Sequence, residues 1–297
     1  MFLIRWISHW PPGFLHAIGG ALGWLVWALS PTYRRRLRAN ARLAGISPRD
    51  QRRAIAAAGR MVAETPWLWL RAGDADRERL VQWRDPQELD AAVAQGRPLV
   101  LLTPHMGSFE ICARAYTQRH GARKPVTVLY RPAKSRRLRE FQQASRERPT
   151  MPTAPASLAG VRQMLRALKR GEAVGLLPDQ VPPEGQGVWA PFFGLPAYTM
   201  TLANRLMRQT GADCIVLRGE RLPRGRGWVI HCSRLARAMP TGSDAEAQEE
   251  AATVINETME REILRDPGQY LWGYHRYKQP RAQESAPAAA STNEGNE

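Results

Sequence analysis

Cysteine is scarce in this 297-residue chain, which carries only Cys112, Cys214 and Cys232. Their odd number and wide scatter exclude a disulfide framework and give no metal-ligand spacing, as suits a reducing compartment. Acidic side chains are also few, 27 against 43 Lys and Arg, for a formal net charge of +16. A surface so basic faces nucleic acid, anionic membrane or an acidic protein. The basic charge is carried mostly by Arg in an Ala-rich chain, so part of the excess reflects genome composition. No helix-turn-helix, zinc or RNP-like signature accompanies it, which weighs against nucleic acid as a partner. Neither a phosphate-binding glycine-rich loop nor a dinucleotide fingerprint occurs, and there is no internal repeat.

One long apolar run is present. From Gly13 to Ser30 the only ionisable residue is His16, and Trp24 and Trp27 lie within it. Its length is at the short edge of a membrane span. Arg34, Arg35, Arg36 and Arg38 follow at once, where positive charge holds a following domain in the cytoplasm. Pro11, Pro12 and the glycines weaken a full span, so an interfacial helix, a core helix and a cleaved signal stay open beside it.

Beyond it the pattern alternates. Asp50 to Leu70 has helical spacing, with Pro66 expected to interrupt it. Short apolar runs follow at Leu99–Thr103, Val126–Tyr130, Ala173–Pro178, around Ile215 and near Val229. Helical stretches at Val161–Lys169 and Thr201–Gln209 separate them, and Ala251–Leu264 is a late helix. This alternation predicts an α/β fold with a mixed, largely parallel central sheet flanked by helices. Residues 1–33 read as a hydrophobic membrane segment, 34–278 as the main domain and 279–297 as a disordered tail, too polar to pack.

The stretch "PLVLLTPHMGSFEI" carries the chemistry. A strand over Leu99–Thr103 delivers His105 to a sheet edge, where open α/β folds place ligand crevices. Gly107 permits a sharp turn, and Ser108 is a candidate N-cap for a helix with Glu110 in its first turn. On one continuous helix five positions separate two side chains by roughly 140°, so only a turn lets Glu110 fold back to His105. A carboxylate on one imidazole nitrogen fixes the tautomer and leaves the other as base. No Ser or Cys is framed as a nucleophile, so a His/Glu pair suits direct deprotonation of a substrate hydroxyl. A structural histidine beside a capping glutamate is the plainer alternative.

"HMGSFE" is similar to the His-x4-Asp/Glu motif of the glycerolipid acyltransferase superfamily. "VLYRPAK", "LLPDQVPPEGQGVWAPFFGLPAYTMT" and "YLWGYHRYK" resemble its branch of late (lauroyl/myristoyl) acyltransferases of bacterial lipid A biosynthesis. With the apolar N-terminus, these segments cover nearly the whole chain in order. The resemblance implies a glycerolipid acyltransferase-like fold with an N-terminal membrane-associated helix. It implies acyl transfer from acyl carrier protein or coenzyme A to a lipid hydroxyl, at the cytoplasmic face of the inner membrane. It makes His105 the general base and Glu110 its orienting partner, with Arg131 holding a phosphate or the oxyanion. It further implies that Asp179 and Gln180 shape the crevice and that Phe192, Phe193 and Gly194 line the acyl or acceptor region. Thr199 or Thr201 stands for the family's threonine after FFG, and Trp272, His275 and Arg276 help close the site. Acyl carrier protein and an anionic lipid or lipid A precursor are the implied partners, with no metal and no cofactor beyond the acyl donor. A lysophospholipid, an ornithine lipid or another lipid acceptor fits the same motifs.

Overall fold

Four consecutive apolar residues form β2 (Leu99–Leu102), fully buried as a central parallel strand requires. Val100 and Leu102 face one half of the core, and Leu99 and Leu101 the other. The structure, a computed structural model, describes residues 2–71, 79–133 and 135–281. The tail expected to be disordered lies, from residue 282 onward, outside the described residues.

Four helices come first: α1 (Phe2–Ile7), α2 (Pro12–Leu29), α3 (Pro31–Leu43) and α4 (Pro48–Leu70). They are followed by β1 (Val81–Arg84), α5 (Gln87–Ala94), β2, α6 (Phe109–His120), β3 (Val126–Tyr130) and α7 (Arg136–Arg146). Next come β4 (Thr153–Pro155), α8 (Leu158–Lys169), β5 (Ala173–Leu176), β6 (Gly187–Phe192) and β7 (Leu195–Met200). Then follow α9 (Leu202–Thr210), β8 (Asp213–Arg221), β9 (Trp228–Ser233) and α10 (Ala245–Arg265). The main sheet has the order β1-β9-β8-β2-β5-β3-β4. Strands β8, β2, β5, β3 and β4 are parallel, while β9 returns antiparallel on β8 and carries β1 beside it. The expected mixed, largely parallel sheet flanked by helices is what the chain forms.

Two local expectations change. Pro66 stays inside α4 rather than interrupting it. The carbonyl that loses its donor belongs to Val62, a residue exposed to solvent, where the loss costs less than in the core. The segment after Gly187 is an antiparallel hairpin, β6–β7, separate from the main sheet. Its two-residue turn is Phe193–Gly194, both at positive φ (47° and 79°), the twist that suits a tight hairpin.

Helix α2 is two-sided. Leu15, His16, Gly19, Gly20 and Gly23 are buried against α4. A Cβ at Gly23 would collide with the Ile55 carbonyl, so glycine sets this close approach. Phe14, Leu22, Leu25, Val26 and Leu29 are exposed on the other side.

Candidate active site

β2, β5 and β3 are neighbours, and the turns after their carboxyl ends carry His105, Asp179 and Arg131 to one edge of the sheet. This is the position at which open α/β sheets form crevices. The turn after β2 is pinned on several sides. Gly107 sits at φ +56°, where a Cβ would strike the Gly219 carbonyl. Its N–H donates to the Gln269 carbonyl at 2.9 Å, and the Ser108 N–H donates to the Gly219 carbonyl at 2.8 Å. Arg221 Nη2 donates to the Gly107 carbonyl at 2.6 Å. Ser108 is the N-cap residue of α6, but its hydroxyl makes no capping bond.

The imidazole of His105 is held by a carboxylate, though not the expected one. His105 Nδ1 lies 2.7 Å from Asp179 Oδ1, and the His105 main-chain N–H donates to Asp179 Oδ2 at 2.9 Å. Asp179 is 1% exposed, so this carboxylate has no water to answer to. Burial pushes its carboxyl up, but the facing imidazole and the bonds from His105 outweigh burial and hold it below its ordinary range. Tyr270 packs on the same carboxylate. Burial, and then the charge of Asp179, push its phenol well above the usual value, so it stays a neutral donor there.

Glu110, expected to orient His105, is engaged elsewhere. The turn through Gly107 does separate the two side chains from a common helix, but α6 then carries Glu110 toward α4 and α7. Its carboxylate accepts from Trp69 Nε1 at 3.1 Å and pairs with Arg146. The Arg146 guanidinium in turn lies 4.5 Å from the Trp69 ring centroid. Glu110 does not orient His105 as expected, because Asp179 follows the adjacent strand β5 to the ring whereas Glu110 is drawn away by a charged partner.

His105, Glu110, Arg131 and Arg146 all border one cavity of about 250 Å³. Its walls are apolar, with Leu101, Val126, Leu129, Leu176 and Leu217 among them. Asp179 occupies Nδ1, which leaves Nε2 as the ring nitrogen free to take a proton. Cys112 borders the same cavity, but burial pushes its thiol up to about 12, so it offers no thiolate. Among the described residues, no group of three or more His, Cys, Asp or Glu side chains is arranged to hold a metal ion.

The remaining expected residues are not gathered at this cavity. Gln180 follows Asp179 in the chain and is half-buried. Phe192 is core, with the Arg276 guanidinium 5.0 Å from its ring centroid. Phe193 and Gly194 form the hairpin turn, and the Phe193 N–H donates to Glu260 Oε1 at 2.7 Å. Thr199 is fully buried, its hydroxyl bonded to Asn256 at 3.2 Å and accepting from Arg276 Nη2 at 2.7 Å. Trp272 is buried too, its indole N–H donating to the Pro267 carbonyl at 2.8 Å. These residues lock the hairpin to α10 and the C-terminal segment; they do not line the His105 cavity. Thr201 is the N-cap residue of α9 and makes no capping bond with its side chain.

A histidine held by an aspartate stands at the edge of a parallel sheet beside a cavity with apolar walls, an arrangement that can support acid–base chemistry in an α/β protein. The profile of bacterial lipid A biosynthesis acyltransferases matches residues 1–279. The chain belongs to that family.

Similar proteins include the lipid A biosynthesis palmitoleoyltransferase of Escherichia coli, 28% identical over 216 residues, 71% of this chain and 65% of that protein. The lauroyltransferase of the same organism is 28% identical over 229 residues, 74% of this chain and 68% of its own length. A lipid A biosynthesis acyltransferase of Haemophilus influenzae is 24% identical over 279 residues, 90% and 85% of the two chains. The match thus spans just under two thirds of the palmitoleoyltransferase.

Proposed function

We propose that this chain moves a fatty acyl group from a thioester, with acyl carrier protein as the carrier, to a hydroxyl of a lipid A precursor. The observation that carries the reading is the 2.7 Å bond between His105 and Asp179 at the rim of an apolar cavity. Family membership supports the substrate class.

In this mechanism the neutral imidazole gives its Nδ1–H to Asp179, and Nε2 takes the proton of the acceptor hydroxyl. The hydroxyl oxygen bonds to the thioester carbonyl carbon, and the charge moves onto the carbonyl oxygen. Collapse of this intermediate breaks the C–S bond. The imidazolium returns its proton to the departing sulfur, leaving an ester and a carrier thiol. Asp179 stabilises the imidazolium while it exists. The acyl chain lies in the apolar cavity, and Arg131 serves the developing oxyanion or a phosphate of the acceptor. Helix α7 carries Arg136 and Arg139, both exposed, and Arg146 at the cavity. An acidic carrier docked on this basic helix would hold its thioester close to His105.

The reading includes a membrane site at the cytoplasmic face of the inner membrane. Along its inner side α2 meets Arg60 and Glu64 of α4, charged groups that do not belong at hydrocarbon depth. Helix α2 is therefore taken to lie in the plane of the interface, with Phe14, Leu22, Leu25 and Leu29 in lipid. Leu22→Glu and Leu25→Glu should each weaken binding to vesicles by about ten-fold or more, the transfer energy of a buried leucine being about 1.5–3 kcal/mol. Thermal unfolding should not change, because both side chains face outward. Unaltered vesicle binding in the double variant would rule out this face as the anchor.

The direct test is transfer of labelled acyl chain from acyl carrier protein to a lipid A precursor by the purified protein. Label appearing only in a lysophospholipid would move the acceptor assignment, and no label in any lipid would remove the activity. Arg131→Lys should lower turnover by about ten-fold or more, because a lysine keeps the charge but loses the planar fork. Equal rates for Arg131 and Lys at this position would make it a bystander.

A further inference from the structure

A second cavity, of about 500 Å³, lies between the start of α2, the middle of α4 and the turn Pro223–Gly225 that joins β8 to β9. Gly13 and His16 border it from α2, Arg53 and Arg60 from α4, and Arg221 and Arg224 from the far side. It shares no lining residue with the cavity that holds His105. We propose that this cavity binds a phosphate-type anion, with Arg60 and Arg224 as its unneutralised donors.

Arg53 is spent on two carboxylates, Asp50 at 2.8 Å and Asp266 at 2.9 Å. Arg221 is spent on Glu64, which it grips with Nε at 2.7 Å and Nη2 at 2.5 Å, and which also takes His16 Nε2 at 2.8 Å. Arg60 and Arg224 have no carboxylate partner among the described residues. Among the described residues the Arg60 side chain makes one hydrogen bond, from Nε to the His16 carbonyl at 3.3 Å. Its guanidinium lies against the glycine side of α2, where a Cβ on Gly20 would come within 3.3 Å of Nε. Burial, and then the neighbouring charges of Arg221 and Arg53, pull the Arg60 guanidinium below its usual value. A half-buried cation with no carboxylate of its own costs free energy unless an anion joins it. Phosphate answers that need, since guanidinium groups grip its oxygens through paired N–H donors.

The surroundings bear on where such a phosphate comes from. Phe14 borders the cavity's helix on the outward side and is half-exposed. Trp6, Trp10 and Phe14 form an edge-to-face row, with centroids 4.7 Å and 5.1 Å apart. Aromatic side chains of this kind settle at the headgroup level of a bilayer. A lipid with its chains beside α2 would bring its phosphate to Arg60, whereas a free phosphate could enter from solvent. The lipid source rests on α2 lying at the membrane; the anion site does not.

The experiment uses the full chain in mild detergent, with Arg60→Gln, Arg60→Lys and Arg224→Gln as variants. Inorganic phosphate is titrated calorimetrically at constant ionic strength. Flotation then compares phosphatidylcholine vesicles with and without phosphatidylglycerol. The unaltered protein should bind phosphate saturably, and Arg60→Gln should weaken it by about ten-fold or more, the usual effect of losing a charged hydrogen bond. Arg60→Lys should fall between them, and Arg224→Gln, at an exposed position, should weaken binding as well. In the absence of phosphate, Arg60→Gln should unfold at the same temperature or higher, since a repelled cation has gone; a purely structural arginine would lower it. If the variants also erase the preference for phosphatidylglycerol, the headgroup is the ligand. If they alter phosphate binding alone, the ligand is a soluble phosphate. No saturable phosphate binding, or binding and vesicle preference indifferent to all three variants, overturns the site. Acyl transfer is not the readout, so failure of the acyltransferase reading would leave these results standing.

Discussion

His105→Ala is expected to lower acyl transfer by about a hundred- to ten-thousand-fold, the usual worth of a positioned general base, with the protein still folded. Asp179→Asn should come close to it. The amide can offer an N–H to Nδ1, which favours the tautomer with the proton on Nε2 and so removes the base. The carboxylate is buried and bonded twice by His105, so the substitution also loosens the turn that carries the imidazole. Turnover should fall far more than acceptor affinity. Glu110→Gln should lower activity by another route, by releasing Arg146 beside the cavity. Its effect and that of Arg146→Gln should therefore be strongly non-additive, as expected of contacting residues. Labelled acyl transfer with thermal unfolding as a control measures all four variants. Full turnover in Asp179→Asn alongside a dead Glu110→Gln, with no coupling between Glu110 and Arg146, would return the orienting role to Glu110.

Glu64 carries the largest expected effect on stability. It is 1% exposed and holds both His16 of α2 and Arg221 of β8. Burial raises its carboxyl, but the charge and hydrogen bonds of Arg221, with the bond from His16, bring it down to about 2. Removing one member of a buried pair leaves the other uncompensated, at a cost of about 3–5 kcal/mol. Glu64→Leu should lose about that much in denaturant unfolding at an unchanged slope. Arg221 also holds the Gly107 carbonyl, so transfer should fall with stability in this variant. The sign with pH follows from the depressed carboxyl. Its contribution is complete above about 4.5 and is lost as pH falls toward about 2. The unaltered protein should lose stability steeply over that window, and Glu64→Gln should show a shallower slope. A Glu64→Leu variant within about 0.5 kcal/mol of the parent, the range of an ordinary surface change, would show that the buried trio holds nothing together.

Much of this protein was legible in its sequence because the signals are local. The apolar run Leu99–Leu102, short and bounded by prolines, reads as a buried strand, and it is one. Gly107 had to be a turn, and the segment from Gly13 had to hide or shed its apolar side chains somewhere. His105 stood out as a candidate because a strand end, a histidine and a turn are consecutive. Its partner was not, because Asp179 lies 74 positions away and meets it only when β5 is laid beside β2. Glu110 looked equally suitable from five positions away. The competing cation, Arg146, comes from a helix 36 positions further along. In the same way Phe192, Phe193, Gly194 and Thr199 carry a family signature, yet only the docking of the β6–β7 hairpin on α10 turns them into a structural clasp. The sequence by itself determined the central strands, the basic charge and the placing of a histidine at a strand end. Tertiary structure alone decided which carboxylate holds that histidine and which arginines remain unneutralised, because charge pairing depends on distance through space rather than along the chain.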